Sequence, residues 1–268
     1  MENILNRSIV ALGYSFVFLF CLFFDQVSFE ILGLIFSIIV LFEFVEITKL
    51  PKKTLILGLL FYLILNFFIG ENTIVNNVFL TISIIVNLFL MFSLFTNKSF
   101  KFSKVQNSFF LLSYLVLSLY FLFSIPTLSN SYNPLSILFL IVIIWSSDSA
   151  GYFFGIKYGK KKLMESVSPK KTVLGFVSGI LSSIIVSIIF ALIINFENIF
   201  HLILIGISIS FIGSVGDLIE SKFKRQYAVK DSGKILKSHG GMFDRLDSLI
   251  FVGPFVYLIY NFNIINVS

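Results

Sequence analysis

Every lysine and arginine in this chain lies outside its apolar runs, and always in alternate connections between them. Runs close to the ~20 residues needed to cross a hydrocarbon core occupy positions 8–24, 28–45, 54–69, 73–95, 109–125, 136–154, 173–196, 199–219 and 248–264. Arg7 precedes the first run, and Lys49, Lys52 and Lys53 lie between the second and third. Lys98, Lys101 and Lys104 separate the fourth from the fifth, and six lysines from Lys157 to Lys171 separate the sixth from the seventh. The remaining seven cations, Lys222 to Arg245, lie between the eighth and ninth. The intervening connections, 25–27, 70–72, 126–134 and 197–198, hold none. Positive charge beside a span resists translocation, so the N-terminus and the basic connections are expected on the cytoplasmic side and the C-terminus outside. A missed or invented span would have put lysine on both sides, so the alternation supports the count independently.

Composition agrees. The 268 residues are 57% hydrophobic and 13% charged, against about a quarter charged in a soluble domain, and 35 are Phe. So much apolar surface exceeds what one core can hide from water. The expected fold is all-α, a polytopic integral membrane bundle of about nine transmembrane helices. The net charge of +6 does not point to nucleic acid, because the cations sit in short loops rather than on a water-facing surface interleaved with aromatics. Cys21 is alone, which leaves no intramolecular disulfide. No small-residue cleavage site follows the first run before Asp25, so that run is expected to be kept as a span.

The halves differ in kind. Residues 1–134 read as scaffold spans with few acids, and residues 135–268 as a catalytic region with polar motif loops. Glu43 and Glu46 stand one turn apart near the cytoplasmic end of the second run, where a solvated or lysine-paired role is expected because terminal charges are cheap. No sequence repeat relates the halves, which disfavours an inverted-repeat transporter.

Polar residues enter the spans from Trp145. Asp148, inside the sixth run, would cost on the order of 2.5–3.5 kcal/mol facing lipid, so it must face the bundle or a wet cavity, either as interhelical glue or as part of a substrate site. The next loop carries Ser168-Pro169-Lys170-Lys171-Thr172 directly before a span; Ser or Thr there can cap the helix, and Lys170 and Lys171 suit an anion. The richest stretch runs from Gly213 through Gly216, Asp217, Ser221, Lys224 and Arg225 to Lys230, Asp231, Ser232 and Gly233. It closes with His239-Gly240-Gly241 and Asp244-Arg245-Leu246-Asp247. Gly213 and Gly216 let a backbone or ligand approach closely, and Asp244 and Asp247 share one face if helical. Carboxylates on two span ends with cations between them suit Mg²⁺, which takes substrate phosphate oxygens as further ligands. Asp217, Asp244 and Asp247 are the candidate metal ligands. Lys224, Arg225, Lys230 and Arg245 would neutralise phosphate, and His239 is either a base or phosphate donor or a turn residue. Two His and one Cys cannot make an ordinary zinc site.

These residues resemble the phosphatidate cytidylyltransferase (CDP-diacylglycerol synthase) family. The resemblance rests on Ser221, Lys224-Arg225, Lys230-Asp231-Ser232-Gly233, His239-Gly240-Gly241 and Asp244-Arg245-Leu246-Asp247, and it runs from about Trp145 to Tyr260. Where the family usually has Pro-Gly before His-Gly-Gly this chain has Lys237-Ser238, and Leu174 stands where Glu is usual. The resemblance implies that CTP and phosphatidate react to CDP-diacylglycerol and pyrophosphate. It implies Asp217, Asp244, Asp247, Lys224, Arg225 and His239 as catalytic residues, with substrate held by Lys170, Lys171, Ser221, Lys230, Asp231, Gly240, Gly241, Arg245 and Asp148. Mg²⁺ is the expected cofactor, with room for a second ion. CTP, phosphatidate and the bilayer are the expected partners, and a homodimer is compatible with the pattern. A CTP-dependent polyprenol or phytol kinase would space its motif differently. A transporter or lipid-binding scaffold would need a polar pathway through the first five runs, which offer almost none.

Overall fold

The computed structural model describes residues 2–69, 73–96, 102–128, 131–233 and 240–261, with side chains from Leu12 onward. Among these residues the chain forms nine helical stretches, here α1 (Glu2–Phe24), α2 (Gln26–Thr48), α3 (Lys52–Ile69), α4 (Thr73–Ser93), α5 (Lys104–Thr127), α6 (Pro134–Tyr158), α7 (Val173–Ile193), α8 (Ile199–Gln226) and α9 (Phe243–Asn261). Seven of them, α2 to α8, are long and apolar enough to cross a membrane. The protein is an all-α polytopic membrane protein, as its apolar runs require.

Local chemistry sets the ends. Asp25 Oδ1 accepts from Ser28 N–H at 2.6 Å and starts α2; Lys49, at φ 53, stops it, and Pro51 opens α3. Ser103 and Gln106 form a reciprocal capping box that starts α5 at Lys104, ahead of the expected 109. Two departures concern segments read as loop. Residues 162–172 form a short antiparallel hairpin, β1 (Lys162–Met164) and β2 (Ser168–Thr172), where a plain loop is expected from the charges. The last helix starts at Phe243 rather than 248, so Asp244 and Asp247 belong to its first turns.

From Phe110 onward helix α5 is enclosed, with Leu111, Tyr114, Leu115, Leu119 and Phe121 fully buried. By contrast α3 and α7 keep most of their apolar surface outside, as lipid-facing helices do. Helix α9 packs on both α5 and α8. Its Gly253 is needed there, because a Cβ would come within 2.9 Å of Leu122 Cβ. The tightest seam joins α6 to α7, where Gly151 and Gly155 face Gly175, and a Cβ on Gly175 would lie 2.6 Å from the Gly151 carbonyl. Small residues four apart let two backbones close in lipid, where apolar burial gives helices little reason to associate. Polar pairs reinforce the seams, including Ser147 with Ser210 at 2.7 Å and Asn76 Nδ2 donating to Tyr257 Oη at 2.7 Å.

Candidate active site

The C-terminal half of α8 places Asp217, Glu220, Ser221 and Lys224 three and four residues apart, hence on one helix face. Two other elements reach that face. From β2, Lys171 Nζ lies 2.5 Å from Asp217 Oδ2. Its strand ends at Thr172, whose Oγ1 accepts from Gly175 N–H at 3.1 Å and caps α7, so the cap that begins the helix also sets the lysine. Burial works against the charge on Lys171, but Asp217, followed by Asp148 and Asp247, overcomes it and holds the ammonium above its ordinary value.

The other element is α9. Gly216 permits its approach, since a Cβ there would stand 2.6 Å from Phe251 Cβ and 3.2 Å from the Asp247 carbonyl. The close approach expected at Gly216 is therefore that of a backbone. Lys224 Nζ is 2.6 Å from Glu220 Oε2 and 2.6 Å from Asp244 Oδ1. The other Asp244 oxygen, Oδ2, accepts from Ser232 N–H at 2.9 Å and Gly241 N–H at 2.8 Å. Gly240 makes that turn at φ 80, in left-handed space that favours glycine.

The acids thus divide. Asp148, Asp217 and Asp247 gather about Lys171 within electrostatic reach of one another, whereas Asp244 and Glu220 share Lys224. Asp244 and Asp247 are neighbours on α9 but serve different clusters, and Asp247 also acts on Glu220, which joins the two. Asp148 is solvent-accessible. Among the described residues it takes no hydrogen bond from Ser or Tyr. Ser221 Oγ donates weakly to Asp217 Oδ1 at 3.4 Å.

Other sequence candidates surround this face. Lys170, Arg225, Lys230, Asp231 and Arg245 are exposed, and Arg225 Nη1 donates to the Val229 carbonyl at 3.2 Å. Lys224 is only 9% exposed and is held by protein carboxylates. Gly241 contributes its N–H as described, while His239 and Lys237-Ser238 lie outside the described residues. Leu174 is exposed in the first turn of α7.

The sequence reading missed one acid and misplaced another. Glu220, 0% exposed, was visible only through its spacing from Asp217 and Lys224. Glu43 corrects an expectation: it is neither solvated nor lysine-paired but 2% exposed. Its carboxylate accepts from Met242 N–H at 3.0 Å, Phe243 N–H at 2.8 Å and Ser232 Oγ–H at 3.0 Å. The start of a distant helix needs an acceptor, and that demand cannot be read from α2 alone. Glu46, the next acid along α2, is exposed as expected.

Residues 5–263 match the cytidylyltransferase family. The chain belongs to that family. Among relatives of this cytidylyltransferase-family protein, one from Bacillus subtilis (strain 168), named phosphatidate cytidylyltransferase, is 44% identical over 131 residues, covering 48% of this chain and 49% of the relative. Proteins of the same name from Staphylococcus haemolyticus (strain JCSC1435) and Staphylococcus aureus (strain COL) are 41% and 40% identical over 124 residues. Each of those two alignments covers 46% of this chain and 48% of the relative. The chain spans about half the length of the curated relatives it matches.

Proposed function

We propose that this protein is a phosphatidate cytidylyltransferase with its reacting face on the cytoplasmic side. The observation that carries the proposal is the charge balance of the site. Five carboxylates, Asp148, Asp217, Glu220, Asp244 and Asp247, lie around the two lysines Lys171 and Lys224. Such a face repels a triphosphate unless a cation reverses its sign.

The donor chemistry fits Mg²⁺. Asp217 and Asp247 would hold it, with Asp148 beside them and Asp244 presented from the Lys224 side. Among the described residues no three acid, His or Cys groups stand close enough to enclose an ion, so water and phosphate oxygens would complete the shell, as this ion prefers. When bound, the ion supplies charge neutralisation at the transferring phosphoryl group.

The chain's own residues do the rest. Lys171 and Lys224 hold the acids in place from their ion pairs. Exposed Lys170, Arg225, Lys230 and Arg245 are the available contacts for the triphosphate and the phosphatidate headgroup, whose tails stay in the bilayer. A phosphatidate oxygen attacks the α-phosphorus of CTP, a P–O bond forms, the bond to the β-phosphate bridge breaks, and pyrophosphate leaves. Positioning and electrostatics suffice for this transfer without a covalent protein intermediate.

The test is purified protein with labelled CTP, Mg²⁺ and either phosphatidate or a polyprenol. Label recovered in CDP-diacylglycerol supports the reading, whereas a phosphorylated polyprenol with no labelled liponucleotide would replace it with lipid kinase activity.

A further inference from the structure

Glu43 stands outside the cluster that faces substrate, yet no other side chain binds the motif loop so fully among the described residues. It is separated by 199 and 200 positions from the backbone amides it accepts, those of Met242 and Phe243. Those amides belong to the start of α9, where helical N–H groups have no partner of their own and where a negative charge is favoured by the helix dipole. Its third donor, Ser232 Oγ, links it to the site. The same Ser232 Oγ accepts from Asp244 N–H at 3.3 Å, while Ser232 N–H donates to Asp244 Oδ2 at 2.9 Å. A continuous chain of hydrogen bonds therefore runs from α2 through Ser232 to the acid that faces Lys224.

Space around the carboxylate is as restricted as its bonding. A Cβ on Gly233 would lie 2.3 Å from Glu43 Oε1, and one on Gly241 would lie 2.4 Å from Oε2. Both ends of the motif loop thus close on one carboxylate. Among the described residues Glu43 forms no ion pair, so three donors alone offset the cost of burying its charge. An amide in its place would turn N–H₂ toward one of those donors and leave it unsatisfied.

We propose that Glu43 is a positioning residue for the active site, setting the Ser232–Gly241–Asp244 turn from the scaffold half and so controlling the rate of transfer. The inference rests on the cytidylyltransferase reading above, and the experiment separates the two. Wild type, Glu43→Gln, Glu43→Asp and, as a control, the exposed Glu46→Gln are compared in CDP-diacylglycerol formation from CTP and phosphatidate. Amide hydrogen exchange is measured at Met242 and Phe243 in the same samples. Glu43→Gln is expected to lower kcat by on the order of 100-fold, as displacements near 1 Å do, with KM for CTP little changed and exchange at both amides accelerated. Glu43→Asp should recover part of kcat because it keeps the carboxylate, and Glu46→Gln should behave as wild type. If Glu43→Gln does not fold, Ser232→Ala breaks the link to Asp244 while leaving the two backbone bonds, and the same fall in kcat is expected. Wild-type kcat in Glu43→Gln or Ser232→Ala overturns the proposal, as does a loss of activity matched only by loss of folded protein. If wild type makes no liponucleotide, the functional reading fails, and the exchange rates alone decide: unchanged protection at Met242 and Phe243 in Glu43→Gln overturns the positioning role.

Discussion

Asp217 pairs with Lys171 and lies within electrostatic reach of Asp247 across the α8–α9 contact, while Asp244 pairs with Lys224. That division makes a prediction about coupling. Asp217→Asn and Asp247→Asn should each remove most turnover, and the double variant should be scarcely worse than either, because groups acting as one unit are strongly non-additive. Asp217→Asn combined with Asp244→Asn should show weaker coupling. A double-mutant cycle on kcat/KM measures both, and equal coupling in the two cycles would erase the division. Arg225 belongs to the rim. Its side chain is exposed and, among the described residues, donates to the Val229 carbonyl, a partner it can leave at little cost. Arg225→Ala should raise the KM for an anionic substrate while the protein remains inserted and extractable, and normal kinetics toward both CTP and phosphatidate would leave it a topology charge.

Helix ends and helix seams carry the next level. Thr172 ends the β2 strand, caps α7 and stands beside Lys171. Removing its hydroxyl in Thr172→Val should cost about 1 kcal/mol of stability and also lower turnover, since the cap holds the strand that delivers the lysine. Denaturation in detergent and the assay above check the two effects separately. Along the α6–α7 seam, Gly175→Ala forces a methyl against the Gly151 carbonyl, and a loss of roughly 1–3 kcal/mol is expected from overpacking; an unchanged unfolding midpoint would show that the seam can open without cost. At the other end of the bundle, the Ser28 hydroxyl and amide hold the Asp25 carboxyl below its ordinary value of 3.8. A depressed aspartate contributes stability that is complete above the unfolded value and is lost as pH falls through the folded one. Asp25→Asn keeps an N-cap oxygen and should flatten that acid limb in a thermal melt series.

Across the whole molecule, the end bearing the motif loop is proposed to face the cytoplasm. In a Cys21→Ser background, cysteine at position 104 should react in intact cells only with permeant thiol reagents, and cysteine at position 131 should react with impermeant ones. Labelling of both from outside would break the proposed orientation. The first half of the chain also bears on the site. Helix α5 is enclosed by its neighbours, α9 packs on it, and Glu43 on α2 holds the start of α9, so the site-bearing helices are set by contacts with the first 134 residues.

Helical class and the nine helices were legible in the sequence, because lipid demands ~20 apolar residues per crossing and each of those signals is local, although only seven of the nine are long and apolar enough to cross among the described residues. The motif from Ser221 to Asp247 stood out in the sequence as a candidate site, since a loop needed only for topology has no use for clustered acids and paired glycines, and the structure brings its Lys224 and Asp244 together. Helix capping at Thr172 could be read from its position beside a span, and the structure shows the bond. What tertiary structure decided was the grouping. Asp244 and Asp247 look like one pair at i and i+3, yet only Asp244 forms an ion pair with Lys224, whereas Asp247 is buried with its Oδ1 accepting from Ser248 N–H. Glu43 looks like a cheap charge at a helix end, yet it answers donors some 200 residues away. Hydrophobic periodicity and motif spacing report what each segment needs for itself. An unpaired amide at one helix start and a buried carboxylate on another become partners only when the two are folded together, because the cost of leaving either unsatisfied exists only once water has been excluded from both.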